Sequence, residues 1–129
     1  MFGSMAFNLG MLAKKSGGGG SDVTPDSVDF GFIDLATSPV DSNLVTFTGI
    51  DTTITLRVTI YDQDHGGFYY IKNGGSEVFI NAPQTLNVSL NDTLKFRMYG
   101  TPGQYVGYYV YNESDGDFEY GPFQLSRSI

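Results

Sequence analysis

The sequence predicts an all-β fold, an antiparallel β-sandwich, preceded by an extended or short-helical N-terminal arm. Three observations predict it. From Asp22 onward apolar residues recur at every second position, the period of a strand with one buried face. Turn-forming Asn, Asp, Gly and Pro interrupt that alternation at close intervals. The chain has nine Tyr and ten Phe, residue types favoured in strands, all but Phe2 and Phe7 in the body, and no segment after residue 21 has a helical period.

The clearest element is Thr53 to Tyr61, where Ile54, Leu56, Val58 and Ile60 share one face and Thr53, Thr55, Arg57, Thr59 and Tyr61 the other. Val28, Phe30 and Phe32 predict a first strand. Val45 and Phe47 predict a second, closed by Gly49. Phe68 to Lys72 and Glu77 to Ile80 flank Asn73-Gly74-Gly75, a hairpin signal because Asn and Gly accept positive φ at low cost. Leu86, Val88 and Leu90 predict another core face before the turn at Asn91-Asp92, and Leu94, Phe96 and Met98 the next. After Thr101-Pro102-Gly103, Tyr105, Tyr109 and Tyr111 oppose Val106, Tyr108 and Val110. Asp115-Gly116-Asp117 turns the chain into Phe118, Tyr120, Phe123 and Leu125. About eight or nine short strands result, the pattern of a sandwich or barrel.

Residues 1–16 differ in kind. Phe2, Met5, Phe7, Leu9, Met11 and Leu12 make the segment apolar, and part of that set approximates one helical face. Gly3 and Gly10 weaken a helix by roughly 1 kcal/mol each, so the segment is expected to order only by burying its apolar side. Lys14 and Lys15 follow the apolar run, whereas a secretory signal carries its charge first. The run is too short to span a bilayer, and Phe2 occupies the place a myristoylation signal reserves for Gly. Residues 17–24 contain Gly17 to Gly20 and read as a flexible linker. An engineered tag and linker would have the same composition. The reading adopted is an anchoring arm, residues 1–16, that docks into a partner or a neighbouring copy, followed by a sandwich domain over 25–129.

Charge bounds the partners. Seven Lys and Arg face 14 Asp and Glu, for a net charge of −7. All 14 acids and 5 of the bases lie in residues 22–129, so the body carries 5 − 14 = −9. An acidic body without a basic patch argues against nucleic acid. The chain has no Cys, so disulfides and thiolate metal sites are excluded.

Residues with chemical potential are few. His65 is alone of its type and lies in Asp62-Gln63-Asp64-His65-Gly66-Gly67, which reads as a solvated loop tip. Asp62 with Asp64, and Asp115 with Asp117, are acidic pairs that could contribute to a calcium site. Asp in turns more often bonds nearby backbone amides. Tyr105, Tyr109 and Tyr111 share one strand face and suit carbohydrate stacking, or ordinary strand packing. Sequons at Asn87, Asn91 and Asn112 are short enough to arise by chance. No nucleophile elbow or ligand cluster points to catalysis, and no cofactor is expected.

Several stretches carry a resemblance. Pro25-Asp26, Phe30-Gly31-Phe32-Ile33-Asp34 and Leu44-Val45-Thr46-Phe47-Thr48-Gly49-Ile50 resemble the opening of a bacterial and phage immunoglobulin-like repeat, which often reads PD-x-F-x-F-x-D and then S-N-x-V-T-V-x-G. Tyr70-Ile71-Lys72-Asn73-Gly74-Gly75 is similar to its Y-S-I-N-G-G, with Lys72 inserted, and Leu90 to Arg97 to its V-N-N-G-D-T-V-T-V-R. The resemblance covers roughly residues 25 to 126, the last strands in pattern only. It implies an immunoglobulin-like sandwich serving as a stalk, decoration or adhesion module, and brings no catalytic residues. The apolar, Gly-containing leader is similar to the arms of small phage virion proteins, which lock a subunit into a shell or tail. The expected function is a structural virion protein of a phage, a capsid decoration or tail accessory subunit. Its partners would be other virion proteins or copies of itself. The alternative is an adhesion module on a bacterial surface, or secreted, that binds host-surface glycans through its tyrosines.

Overall fold

Alternation of apolar and polar residues is carried through to the structure, a computed structural model that describes residues 24–128. Among the described residues ten strands form: β1 (Phe32–Leu35), β2 (Val40–Asp41), β3 (Val45–Thr46), β4 (Ile54–Asp64), β5 (Gly67–Lys72), β6 (Val78–Phe79), β7 (Gln84–Val88), β8 (Thr93–Tyr99), β9 (Tyr105–Asn112) and β10 (Phe118–Arg127). A 3₁₀ turn, Glu113–Asp115, joins the last two. One sheet has the order β1-β10-β9-β4-β7. The other has the order β2-β8-β5-β6, with β3 also on β8. All pairings are antiparallel except β1 with β10. The described residues are therefore nearly all β, in two mostly antiparallel sheets packed as a sandwich.

The inner faces meet on rings. Phe96 lies 4.8 Å from Phe30, 5.6 Å from Phe68 and 4.8 Å from Tyr108, measured between centroids, and Phe123 lies 5.3 Å from Phe30 and 5.6 Å from Tyr108. Ile54, Leu56 and Val58 from β4, Leu86 and Val88 from β7, and Leu94 and Met98 from β8 complete the packing around them. The Tyr108 hydroxyl is wholly buried and turned toward Ser42, and its burial pushes its pKa well up. Ser42 Oγ in turn donates to the Asn43 carbonyl at 2.9 Å and accepts the Phe96 amide at 2.9 Å.

Turn residues behave as their chemistry requires. Asn73 and Gly74 both adopt positive φ, 55° and 68°, and the Gly75 amide closes the turn on the Lys72 carbonyl at 3.0 Å. This is the tight hairpin expected at that place. The Asp92 carboxylate accepts the Ser89 amide at 2.8 Å and the Asn73 side chain at 3.0 Å, so two turns distant in sequence hold each other.

Three sequence expectations need correction. The first strand was expected to bury Val28, Phe30 and Phe32 together. Gly31 takes φ 75°, which reverses the facing of the chain, and Phe32 is left 65% exposed at the start of β1 while Ile33 packs on the core. Leu90 was expected to continue the core face of Leu86 and Val88. It lies beyond the end of β7 in the turn and is 52% exposed. His65 was expected at a solvated tip. It is half-buried in the short β4–β5 connection, with Nε2 2.8 Å from Gln63 Oε1 and its ring 6.1 Å from that of Phe68. Burial lowers its pKa.

A pair of leucines tests this packing. Leu94→Ala, fully buried, should cost about 2–5 kcal/mol in urea unfolding. Leu90→Ala, four residues earlier, should change stability by less than about 0.5 kcal/mol.

Candidate functional site

β4 and β9 lie side by side in the first sheet, and their outward residues build an ordered surface. In register, Arg57 faces Tyr111 and Thr59 faces Tyr109. Between Ile60 and Asp62 the register slips by one residue, so that Ile60 still opposes Tyr108 but Asp62 opposes Gly107. Tyr61 is the extra residue of this bulge. Bulges re-aim side chains, and here the slip turns Tyr61 across the sheet onto Gly107. A Cβ on Gly107 would lie 2.4 Å from Cζ of Tyr61, so the ring rests directly on the glycine backbone.

Three rings thereby line up. The Tyr61 and Tyr109 centroids are 5.1 Å apart at 53°, and those of Tyr109 and Tyr111 are 6.2 Å apart at 34°. The Arg57 guanidinium sits over the Tyr111 ring, 4.6 Å from its centroid, a cation–π contact. Nη1 of Arg57 also donates to Glu113 at 2.7 Å and to Asp117 at 3.1 Å. The Glu113 bond, then the Asp117 bond, raise the arginine's pKa. Tyr105 donates its hydroxyl to Asp62, and this bond, with smaller contributions from burial, raises the Tyr105 pKa.

The expected site residues thus fall as follows. Tyr109 and Tyr111 are brought together, and Tyr105 stands on the same face but bonds to Asp62. The carboxylates of the two acidic pairs have protein partners: Asp62 has Tyr105, Asp64 has Gln104 at 3.3 Å, Asp115 has the Thr24 hydroxyl, and Asp117 has Arg57. Among the described residues no group of three or more His, Cys, Asp and Glu is placed to hold a metal ion. Asn112 of the third sequon is fully buried, and its Oδ1 caps the 3₁₀ turn by accepting the Asp115 amide at 3.2 Å. The arm residues Phe2, Met5, Phe7, Leu9, Met11 and Leu12 lie outside the described residues.

Sequence reasoning singled out neither Tyr61 nor Arg57 as site residues. Their shared parity on β4 is visible in the alternation, but the pairing with β9 is not. It also passed over a cluster on the opposite sheet. There Arg97 forks onto Asp41, with Nε to Oδ1 at 2.6 Å and Nη2 to Oδ2 at 2.9 Å, and reaches Glu77 through Nη1 at 2.8 Å. Lys95 adds a contact to Asp41 at 3.0 Å, and Tyr99 donates to Glu77. Tyr69 touches Tyr99 and Phe79 edge to face, at 5.5 and 5.7 Å. The signal was the outward series Lys95, Arg97, Tyr99, which pairs with acids far away in the chain.

Comparison with known proteins returns no match to a family model, a curated protein or a solved structure.

The Arg97 network sets an acid limit. Its hydrogen bond to Arg97 holds Asp41 below the ordinary value of 3.8, and bonds from Tyr99 and then Arg97 hold Glu77 below 4.5. Carboxylates with depressed folded-state values stabilise the protein above the unfolded values, and that contribution disappears as the pH falls through the folded ones. Thermal melting should therefore hold level down to about pH 5 and fall below it. Arg97→Met should lower the midpoint at pH 7 by about 4–8 °C, roughly 1 kcal/mol for a partly exposed network, and flatten the acid limb.

Proposed function

We propose that the protein is a structural attachment protein of a phage virion, a capsid decoration or tail accessory subunit. Its immunoglobulin-like body stands on the particle, and residues 1–16 bind other virion proteins or copies of the same chain. The observation that carries this reading is where the core is assembled. The buried cluster runs from Phe30 to Leu125, and each sheet covers the inner face of the other. The described body thus has a core of its own, and the apolar set beginning at Phe2, separated from it in sequence by Gly17 to Gly20, is read as a segment suited to burial against a partner.

The strand order supports the immunoglobulin-like part of the proposal. The run β10-β9-β4-β7 repeats the G-F-C-C′ order of a variable-type sheet, and β2 and β3 on β8 repeat the B–E pair. The departure lies between β4 and β7, where the chain crosses to the other sheet and forms β5 and β6 before returning.

An arm of this kind gains affinity by burying apolar surface, at roughly 25 cal/mol per Å² before the cost of ordering it. Repetition on a lattice adds avidity. A variant lacking residues 1–16 should unfold within about 0.5 kcal/mol of the full chain and fail to enter particles. Occupancy of particles by the shortened protein equal to that of the full chain would overturn the attachment role. A marked loss of stability on shortening would instead make the segment part of the body.

A further inference from the structure

We infer that the tyrosine strip on the outer face of the first sheet, Tyr61, Tyr109 and Tyr111 with Arg57 at its end, is a binding site for an uncharged polysaccharide. Four observations point to this ligand class, and none of them depends on how the chain is attached to anything.

First, the rings form a track. Neighbouring rings are tilted by 53° and 34° at 5.1 and 6.2 Å, and Tyr61 remains 49% exposed at one end. The aromatic cluster on the other sheet differs. Its rings meet edge to face, at 74° and 86°. A pyranose offers a flat C–H face that stacks on an aromatic ring, and hydroxyls around its rim that bond to polar tips.

Second, the lining is polar beyond the rings. Outward positions of β4 and β9 carry tyrosine, threonine, glycine, a guanidinium and the Asp62 carboxylate, and no aliphatic side chain. Hydroxyls such as that of Thr59, which faces Tyr109 in register, suit the rim of a sugar.

Third, the charge selects against anions. Arg57 is held by Glu113 and Asp117, so its charge is met within the protein. Asp62 stands beside Gly107 and Glu119 beside Tyr111. An acidic polymer would meet repulsion along the strip.

Fourth, the strip is built by a local irregularity. The bulge at Tyr61 and the absence of a side chain at Gly107 act together: one turns the ring across the sheet, the other lets it lie flat.

The test is affinity electrophoresis of the full chain in native gels containing dextran, laminarin, mannan or xylan, with alginate and heparin as acidic counterparts. At least one neutral polysaccharide should retard the protein, and neither acidic one should. Tyr61→Ala and Tyr109→Ala should each weaken the retardation by about three- to tenfold. Gly107→Ala keeps all three rings but displaces Tyr61, and should weaken it as well. Tyr69→Ala, on the opposite sheet, should bind as the parent does. Thermal melts confirm that each variant is folded, and half-exposed Tyr61 can be removed without opening the core. Retardation by none of the neutral polymers, retardation by the acidic ones alone, or unchanged binding in Tyr61→Ala and Gly107→Ala would overturn the inference. The assay uses free protein in solution, so its outcome is separate from any result on particles.

Discussion

Contact among Phe30, Phe68, Phe96, Tyr108 and Phe123 is the constraint from which the other features follow. These rings come from five separate places in the chain and must meet midway between the sheets. A one-residue slip in any contributing strand would turn its ring to solvent and leave a hole in the packing. The inward registry of β5, β8, β9 and β10 is thereby fixed, and with it the residues that face outward. The tyrosine strip is the outer side of the same β9 that supplies Tyr108. The Arg97 network is the outer side of the same β8 that supplies Phe96.

Where the alternation breaks, the break has an identifiable agent. Gly31, at positive φ, lets Phe30 stay in the core while Phe32 points away, and a Cβ at Gly31 would come within 2.6 Å of the Asn43 side chain. In β10 the register shifts between Tyr120 and Phe123, which lets both remain buried although three positions separate them. In β4 the slip at Tyr61 places two consecutive residues, Tyr61 and Asp62, where the outer surface is built, and each finds a partner on β9. The first two irregularities serve the core. The third leaves the core pairing of Ile60 with Tyr108 intact and changes only the surface.

This division explains what was legible beforehand. Strands with unbroken alternation, β4 up to Ile60 and β8, could be read with their buried faces correctly assigned, and β9 with its two faces separated, because period two is a property of a single strand. The Asn73-Gly74 hairpin was legible because positive φ restricts residue choice locally. Phe32 and Leu90 were misassigned because alternation was extended through a glycine and past a strand end, where nothing in the apolar pattern marks the change. Parity alone put Tyr109 and Tyr111 together. Pairings across the sheets were not legible: Arg57 meets Asp117 sixty positions away, and Thr24 meets Asp115 ninety-one positions away. Nor was the crossing of β5 and β6 into the second sheet, which depends on strand order rather than on composition.

The ends of the body have a consequence for how the two proposals fit together. Thr24 is tied to Asp115 in the β9–β10 turn, and the Asp26 amide bonds to the Thr48 carbonyl at 3.0 Å, so the chain enters the sandwich at the end where β9 finishes and β10 begins. Arg127 lies at the other end, held by the carbonyls of Gly100 at 3.1 Å and Ala36 at 3.3 Å. β4 runs between these ends over 11 residues, about 36 Å at strand rise. A body held through residues that precede Thr24 is therefore held by one end, and its strands run away from the support. The strip lies along this axis. Tyr111 and Arg57 stand nearest the entry end, and Tyr61 and Tyr105 lie toward the far end. Attachment at the entry end would leave the exposed ring of Tyr61 facing outward, so one face of the sandwich can present the strip while its end bears the load.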